Sequence, residues 1–260
     1  MSDWLHNLPI VWMALVVFGF TYLLAAGICW LVTGLAKGER ARGFKAISPG
    51  MLPPLGIIFG LFVAFTAAQV WNDNERANAA VDREASALRA VVVLAATFPG
   101  EPQSQFRALV RRHIDQAVTQ EWPMMARGTA TLRFTPTLLA EALQLTLALT
   151  PNSEGQKIAQ REIVTALETA FDARRQRIII SQSQVNLVKW LCLFVQAAAA
   201  LFAIAMIHCD NRIASAITVG LFATGVAASV LLIAAHDRPF TGEISVGPGP
   251  LLQVMPDASR

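Results

Sequence analysis

Phe59, Phe62, Thr66 and Gln69 recur at three- and four-residue intervals within an uncharged run, so a helix would place them on one face. Two rings followed by two polar groups have a possible use inside a membrane. Rings facing a lumen can gate it by dewetting, and the polar pair can replace part of an ion's hydration shell. A glutamine in lipid is costly without a partner or a wet cavity, so this face is expected to look into an assembly, as candidate pore lining. A Gln69 at the interface end of its span is an equally good reading. A second face carries Gly56, Gly60, Ala64 and Ala68, a four-residue repeat of small side chains that suits close helix packing.

Arg174, Arg175 and Arg177 are the other charged group of interest. In a symmetric oligomer they would form a ring of positive charge that concentrates anions. The more ordinary role is pairing with carboxylates such as Asp73, Glu75 or Asp172, and Asp237 is a further candidate that would tie the chain's tail to Arg174 or Arg175. Catalytic chemistry is not expected. The chain has no phosphate-cradling glycine loop, no His-x-x-x-His zinc helix and no nucleophile elbow, so neither a cofactor nor a metal is implied. His208, Cys209 and Asp210 resemble half a metal cluster, but His236 and Asp237 lie at the other end of an intervening helix, roughly 35 Å away at ~1.5 Å per residue. Cys29, Cys192 and Cys209 read as small buried hydrophobes.

The elements that must position these residues are four uncharged runs, 9–36, 51–71, 190–207 and 213–235, in a chain of 260 residues that is 54% hydrophobic and 15% charged. Each reaches the ~17–25 residues a bilayer span requires. The first is too long, and its leading residues too poor in Lys and Arg, for a signal peptide. Residues 55–96 contain no proline and no glycine after Gly60, and read as one helix of roughly 60 Å that leaves the membrane and enters water. Helical periodicity continues beyond it. Val81, Leu88, Val91, Val92 and Ala95 form one apolar stripe; Phe106, Leu109, Val110, Ile114, Ala117 and Val118 form another. Pro123 with Gly128 is expected to end that second helix, and a third covers 136–149. A fourth, capped by Asn152 or Ser153, runs toward Ile178 and could continue into the third span. The expected fold is an all-α membrane protein: four transmembrane helices, with an antiparallel helical extramembrane bundle between spans two and three. Its parts are 1–71, 72–184, 185–236 and a short tail, 237–260.

Thirteen Lys and Arg against twelve Asp and Glu over 72–180 leave the bundle nearly neutral, which argues against nucleic acid. The basic residues Lys37, Arg40, Arg42 and Lys45, opposed by Glu39, fill the first loop and place it in the cytoplasm. With Arg212 in the short turn before the last span, the bundle is then expected to be periplasmic, with a cytoplasmic bundle as the alternative.

Three segments carry a resemblance: Glu121-Trp122-Pro123 within 106–128, Asp172-Ala173-Arg174-Arg175, and Asp237-Arg238-Pro239-Phe240-Thr241-Gly242. Together with Trp71 and Glu84-Ala85 they resemble the bestrophin-like family of bacterial membrane proteins, over roughly 55–251. Residues 44–54 depart from the family's pattern. The resemblance implies an oligomeric, multi-pass protein of the bacterial inner membrane, a candidate anion channel whose partners are lipid, further copies of itself and a small anion. Bestrophins hold the corresponding domain in the cytosol, opposite to the charge reading. The alternative function is a non-conducting sensor or scaffold whose bundle binds an unknown protein partner. Within the motif, Trp122 with Pro123 is expected to form a bundle corner.

Overall fold

The computed structural model describes residues 8–36, 43–44, 49–133 and 136–257. The basic residues Lys37, Arg40, Arg42 and Lys45 of the first loop lie outside the described residues. Among those described, regular structure is helical throughout. α1 spans Ile10–Leu35, α2 Leu52–Ala95, α3 Glu101–Gln116, α4 Trp122–Ala126 and α5 Thr137–Ala148. α6 follows at Glu154–Ile180, α7 at Leu187–Ile207, α8 at Arg212–His236 and the short α9 at Gly249–Gln253. Four of these, α1, α7, α8 and the helix containing α2, are long and apolar enough to cross a membrane.

The chain forms two compact units, Met1–Asn72 with Gln184–Asp237, and Asp73–Ser183 with Arg238–Arg260. In the first, α8 packs on α1 and α7, and α1 packs on α7. Its interior is apolar, with Met13, Val17, Trp190, Leu193, Val226 and Ile233 among the buried residues. Apolar side chains also point outward, Leu23 at 75% and Trp30 at 78% exposure, which suits a surface turned to lipid or to other subunits rather than to water. Asn186 and Asn211 start α7 and α8 by accepting backbone N–H bonds from Val188 and from Ile213 and Ala214.

α2 is the element shared by both units. Pro53 and Pro54 fall in its first turn, where no intrahelical donor is lost, and nothing interrupts it before the Pro99-Gly100 break, where Gly100 adopts φ +94°. In the second unit α3 packs on α5 and α5 on α6, around Leu88, Val91, Phe106, Ile114, Ile163 and Leu167. The expected apolar stripes therefore face this core, with Val92, Leu109 and Val118 half-buried at its margin.

Two helices end elsewhere than their sequence suggests. Pro123 does not end the second helix of the bundle. The chain passes from α3 through a π-helical segment, Ala117–Glu121, into α4, and the Trp122 N–H reaches back to the Ala117 carbonyl. A proline lacks the N–H and crowds the carbonyl four residues earlier; the wider i→i+5 turn accommodates both. Gly128, at φ +66°, makes the actual stop after α4. The fourth bundle helix likewise does not run into the third span: α6 ends at Ile180, and Asn186 caps a new helix. At its other end α6 is capped by Ser153, whose Oγ accepts from the Gln156 N–H at 3.2 Å, while Gln156 Oε1 accepts from the Asn152 N–H at 2.7 Å.

The segment after α8 packs into the second unit. The Thr241 hydroxyl donates to the Ala126 carbonyl at 2.7 Å, Arg111 Nη1 donates to the Pro256 carbonyl at 2.9 Å, and Leu251 is fully buried.

Candidate functional site

The second unit contains a buried ionic network built by three helices and the π segment. α2 contributes Glu84, α3 His113, the π segment Glu121 and α6 both Arg174 and Arg177. Arg177 is fully buried and forks onto Glu84, with Nε to Oε2 at 2.8 Å and Nη2 to Oε1 at 3.2 Å. Its Nη2 also donates to Glu121 Oε2 at 2.8 Å, and Nη1 donates to Met125 Sδ at 3.5 Å. The guanidinium carbon lies 4.6 Å from the centroid of the Trp122 ring, a cation–π arrangement. Arg174 completes the chain by donating from Nε to Glu121 Oε1 at 2.8 Å, with Nη2 of the same side chain 2.6 Å from that oxygen.

His113 Nε2 lies 3.0 Å from Glu84 Oε1. An ionised carboxylate only accepts, so the imidazole nitrogen facing it is the donor. Burial works to raise the pKa of Glu84, but the adjoining Arg177 charge and the hydrogen bonds from His113 and Arg177 outweigh it and hold the carboxyl at about 2, against an ordinary 4.5. Arg177 is pushed upward in turn: burial would lower its pKa, and the charges of Glu84 and Glu121 reverse that. The two carboxylates and two guanidinium groups of the network balance one another, the condition under which buried charge is tolerated.

Two of the three arginines are paired with carboxylates, the more ordinary of the two roles expected, but with other partners. Arg177 is fully buried and Arg174 is 7% exposed, so neither is available to a charge ring open to solution, whereas Arg175 is exposed. The paired carboxylates are Glu84 and Glu121 rather than Asp73, Glu75 or Asp172. Asp237 is buried and accepts the Val185 backbone N–H at 2.5 Å.

The membrane unit redistributes the other candidates. Phe59 is buried and packs its ring 5.7 Å from that of Phe222; Thr66 is buried and donates to the Phe62 carbonyl at 2.9 Å. Phe62 is half-buried, and Gln69 accepts from Lys189 Nζ. The face expected to look into a lumen is thus largely packed within one chain. The small-residue face is the open one. A Cβ added at Gly56 or Gly60 would meet no atom within 4 Å, and Ala64 and Ala68 are exposed, so close helix packing through this stripe is not made inside the chain. Among the described residues no group of three or more His, Cys, Asp or Glu is placed to hold a metal ion.

The family model for the Bestrophin-like domain matches residues 19–251. The chain belongs to the bestrophin-like family. Its fold is also that of a crystal structure of a bacterial bestrophin homologue from Klebsiella pneumoniae, solved as a single-site mutant: TM-score 0.73 at 12% sequence identity, covering 92% of this chain and 97% of that one. No curated protein matches the chain. The four apolar helices are accordingly those of a bestrophin-like membrane protein, and Glu84, Glu121 and Arg174, three of the residues in the segments that carry the resemblance, meet in the buried network. Trp122 lies under Arg177, its indole N–H donates to the Val246 carbonyl at 3.1 Å, and its ring meets Phe240 edge-on at 5.8 Å.

The depressed Glu84 pKa adds one contribution to the acid response of this bestrophin-like domain. A carboxyl whose pKa is lower in the folded state contributes stability in full above its unfolded value near 4.5, and loses it as pH falls toward about 2. Thermal unfolding of the detergent-solubilised protein should therefore show a stability loss between pH 4.5 and 2 that Glu84→Gln lacks. Identical pH profiles for the two proteins would refute the assignment.

Proposed function

We propose that this bestrophin-like protein is an oligomeric ion channel selective for small anions, with the second span lining the conducting axis. The observation that carries the reading is the uncovered face of α2. Ile57, Leu61 and Phe65 are 69%, 55% and 68% exposed, and they share that surface with Gly60, Ala64 and Ala68. Symmetry-related copies would turn this face toward a common axis, where apolar rings close the path by dewetting and small residues leave it open. Phe62 and Gln69 flank the face, while Phe59 and Thr66 stay in the wall behind it. Lys189, held by Gln69 at one end of the span, supplies positive charge where an anion would enter or leave.

Reconstituted liposomes test this. Chloride efflux above the protein-free background is expected, with Phe65→Ala changing its rate severalfold and Phe62→Ala changing it less. Background flux in all three proteins, each a well-folded oligomer, would reject the channel.

The loop charges support a periplasmic helical domain of antiparallel helices in the bacterial inner membrane. An alkaline phosphatase fused within 150–153 is expected to be active, and a green fluorescent protein fused at the same place dark; the reverse pattern would invert the topology.

A further inference from the structure

The ion pairs of the network are not equally sealed. Glu84 and Arg177 have fully buried side chains, whereas those of Arg174 and Glu121 keep 9% and 13% exposure. The second pair opens on a cavity of about 390 Å3. A bound water occupies roughly 30 Å3, and ligand sites begin near 300 Å3, so the space is of ligand size. Gln116, Gln120, Thr131 and Thr137 give the wall amide and hydroxyl groups, and Met124 and Ile178 give it an apolar patch.

We propose that this cavity binds a small zwitterion of the α-amino acid class, its carboxylate toward Arg174 and its ammonium toward Glu121. The charge pattern selects the class. A simple anion would meet Arg174 only beside the Glu121 carboxylate, and a simple cation would meet Glu121 only beside the guanidinium. A molecule carrying both charges can meet the Arg174 N–H groups and the Glu121 lone pair that the ion pairs leave unused. Because Nη2 of Arg174 and Oε1 of Glu121 are 2.6 Å apart, the ligand's own charges must be close together, as they are across an α-carbon and are not in a long ω-amino acid. Met124 and Ile178 suit an uncharged side chain on that carbon. The site is independent of whether the spans conduct.

The test uses purified full-length protein in detergent and follows its thermal unfolding with each of the common free L-amino acids, and separately with acetate and with ethylammonium as single-charge probes. At least one amino acid with an uncharged side chain should raise the melting temperature saturably, with no comparable shift from acetate or ethylammonium. Two variants at exposed positions locate the effect without disturbing the buried network: Thr137→Trp, which fills the cavity, should abolish the shift, and Gln120→Ala should weaken the apparent affinity about tenfold. No saturable shift from any amino acid would overturn the proposal. So would an equal shift from acetate, or a shift that survives in Thr137→Trp.

Discussion

Arg177→Met should lower stability by about 3–5 kcal/mol, because it removes the one side chain that bridges Glu84 and Glu121 and leaves a buried carboxylate without its counter-charge. Methionine has a similar volume, so the loss is chiefly electrostatic rather than a cavity effect. For a unit of this size each kilocalorie moves the melting temperature by a few degrees, so a fall on the order of 10 °C is expected in thermal unfolding of the solubilised protein. The pair itself is a weaker stabiliser than the single variant suggests. Replacing both partners, as in Glu84→Met with Arg177→Met, removes the desolvation cost along with the attraction, and the double variant should recover much of the loss. A single variant within about 0.5 kcal/mol of the parent would show that Arg177 does not hold the network together.

Trp122→Ala is the second large effect, also about 3–5 kcal/mol. It deletes the ring under the Arg177 guanidinium, the edge contact with Phe240 and the indole bond to the Val246 carbonyl at once. Trp122→Phe separates these contributions: an aromatic ring remains, the N–H bond is lost, and the cost should fall toward that of one hydrogen bond and a partial cavity, roughly 1–2 kcal/mol. Because two of the three contacts reach the segment after α8, Trp122→Ala should also expose residues 240–248 to limited proteolysis, whereas an unchanged digestion pattern would separate Trp122 from the anchoring of that segment.

The four apolar helices were legible because an uncharged run of span length has few other readings, and the bundle's helices were legible from a period that Val81, Leu88, Val91 and Ala95 keep without exception. The buried network was written into the same period and was harder to read. Glu84 lies three residues after Val81 and four before Leu88, so it falls within the stripe that packs inward. His113 and Glu121 fall likewise beside Phe106, Val110 and Ala117, and Arg174 and Arg177 beside Ile163, Leu167 and Ala170. Charged residues in a buried register on three elements are the signal that they neutralise one another, but sequence spacing does not say which pairs meet. Spacing alone favours Asp73, Glu75 and Asp172 as partners, which lie close to the second span or close to the arginines in sequence. On the second span, ring and polar periodicity identified a real face of the helix but not its surroundings. Phe59 finds Phe222 on α8, a contact between residues far apart in the chain, and the small residues are left uncovered. The π segment was invisible because its cause, Pro123, reads more simply as a stop.

Anion conduction is read from the reversal potential of the purified protein in a planar bilayer under a potassium chloride gradient. Currents should reverse close to the chloride equilibrium potential and shift in amplitude with Phe65→Ala. Reversal at the potassium potential would contradict anion selectivity, and a silent bilayer containing correctly folded oligomer would contradict conduction itself.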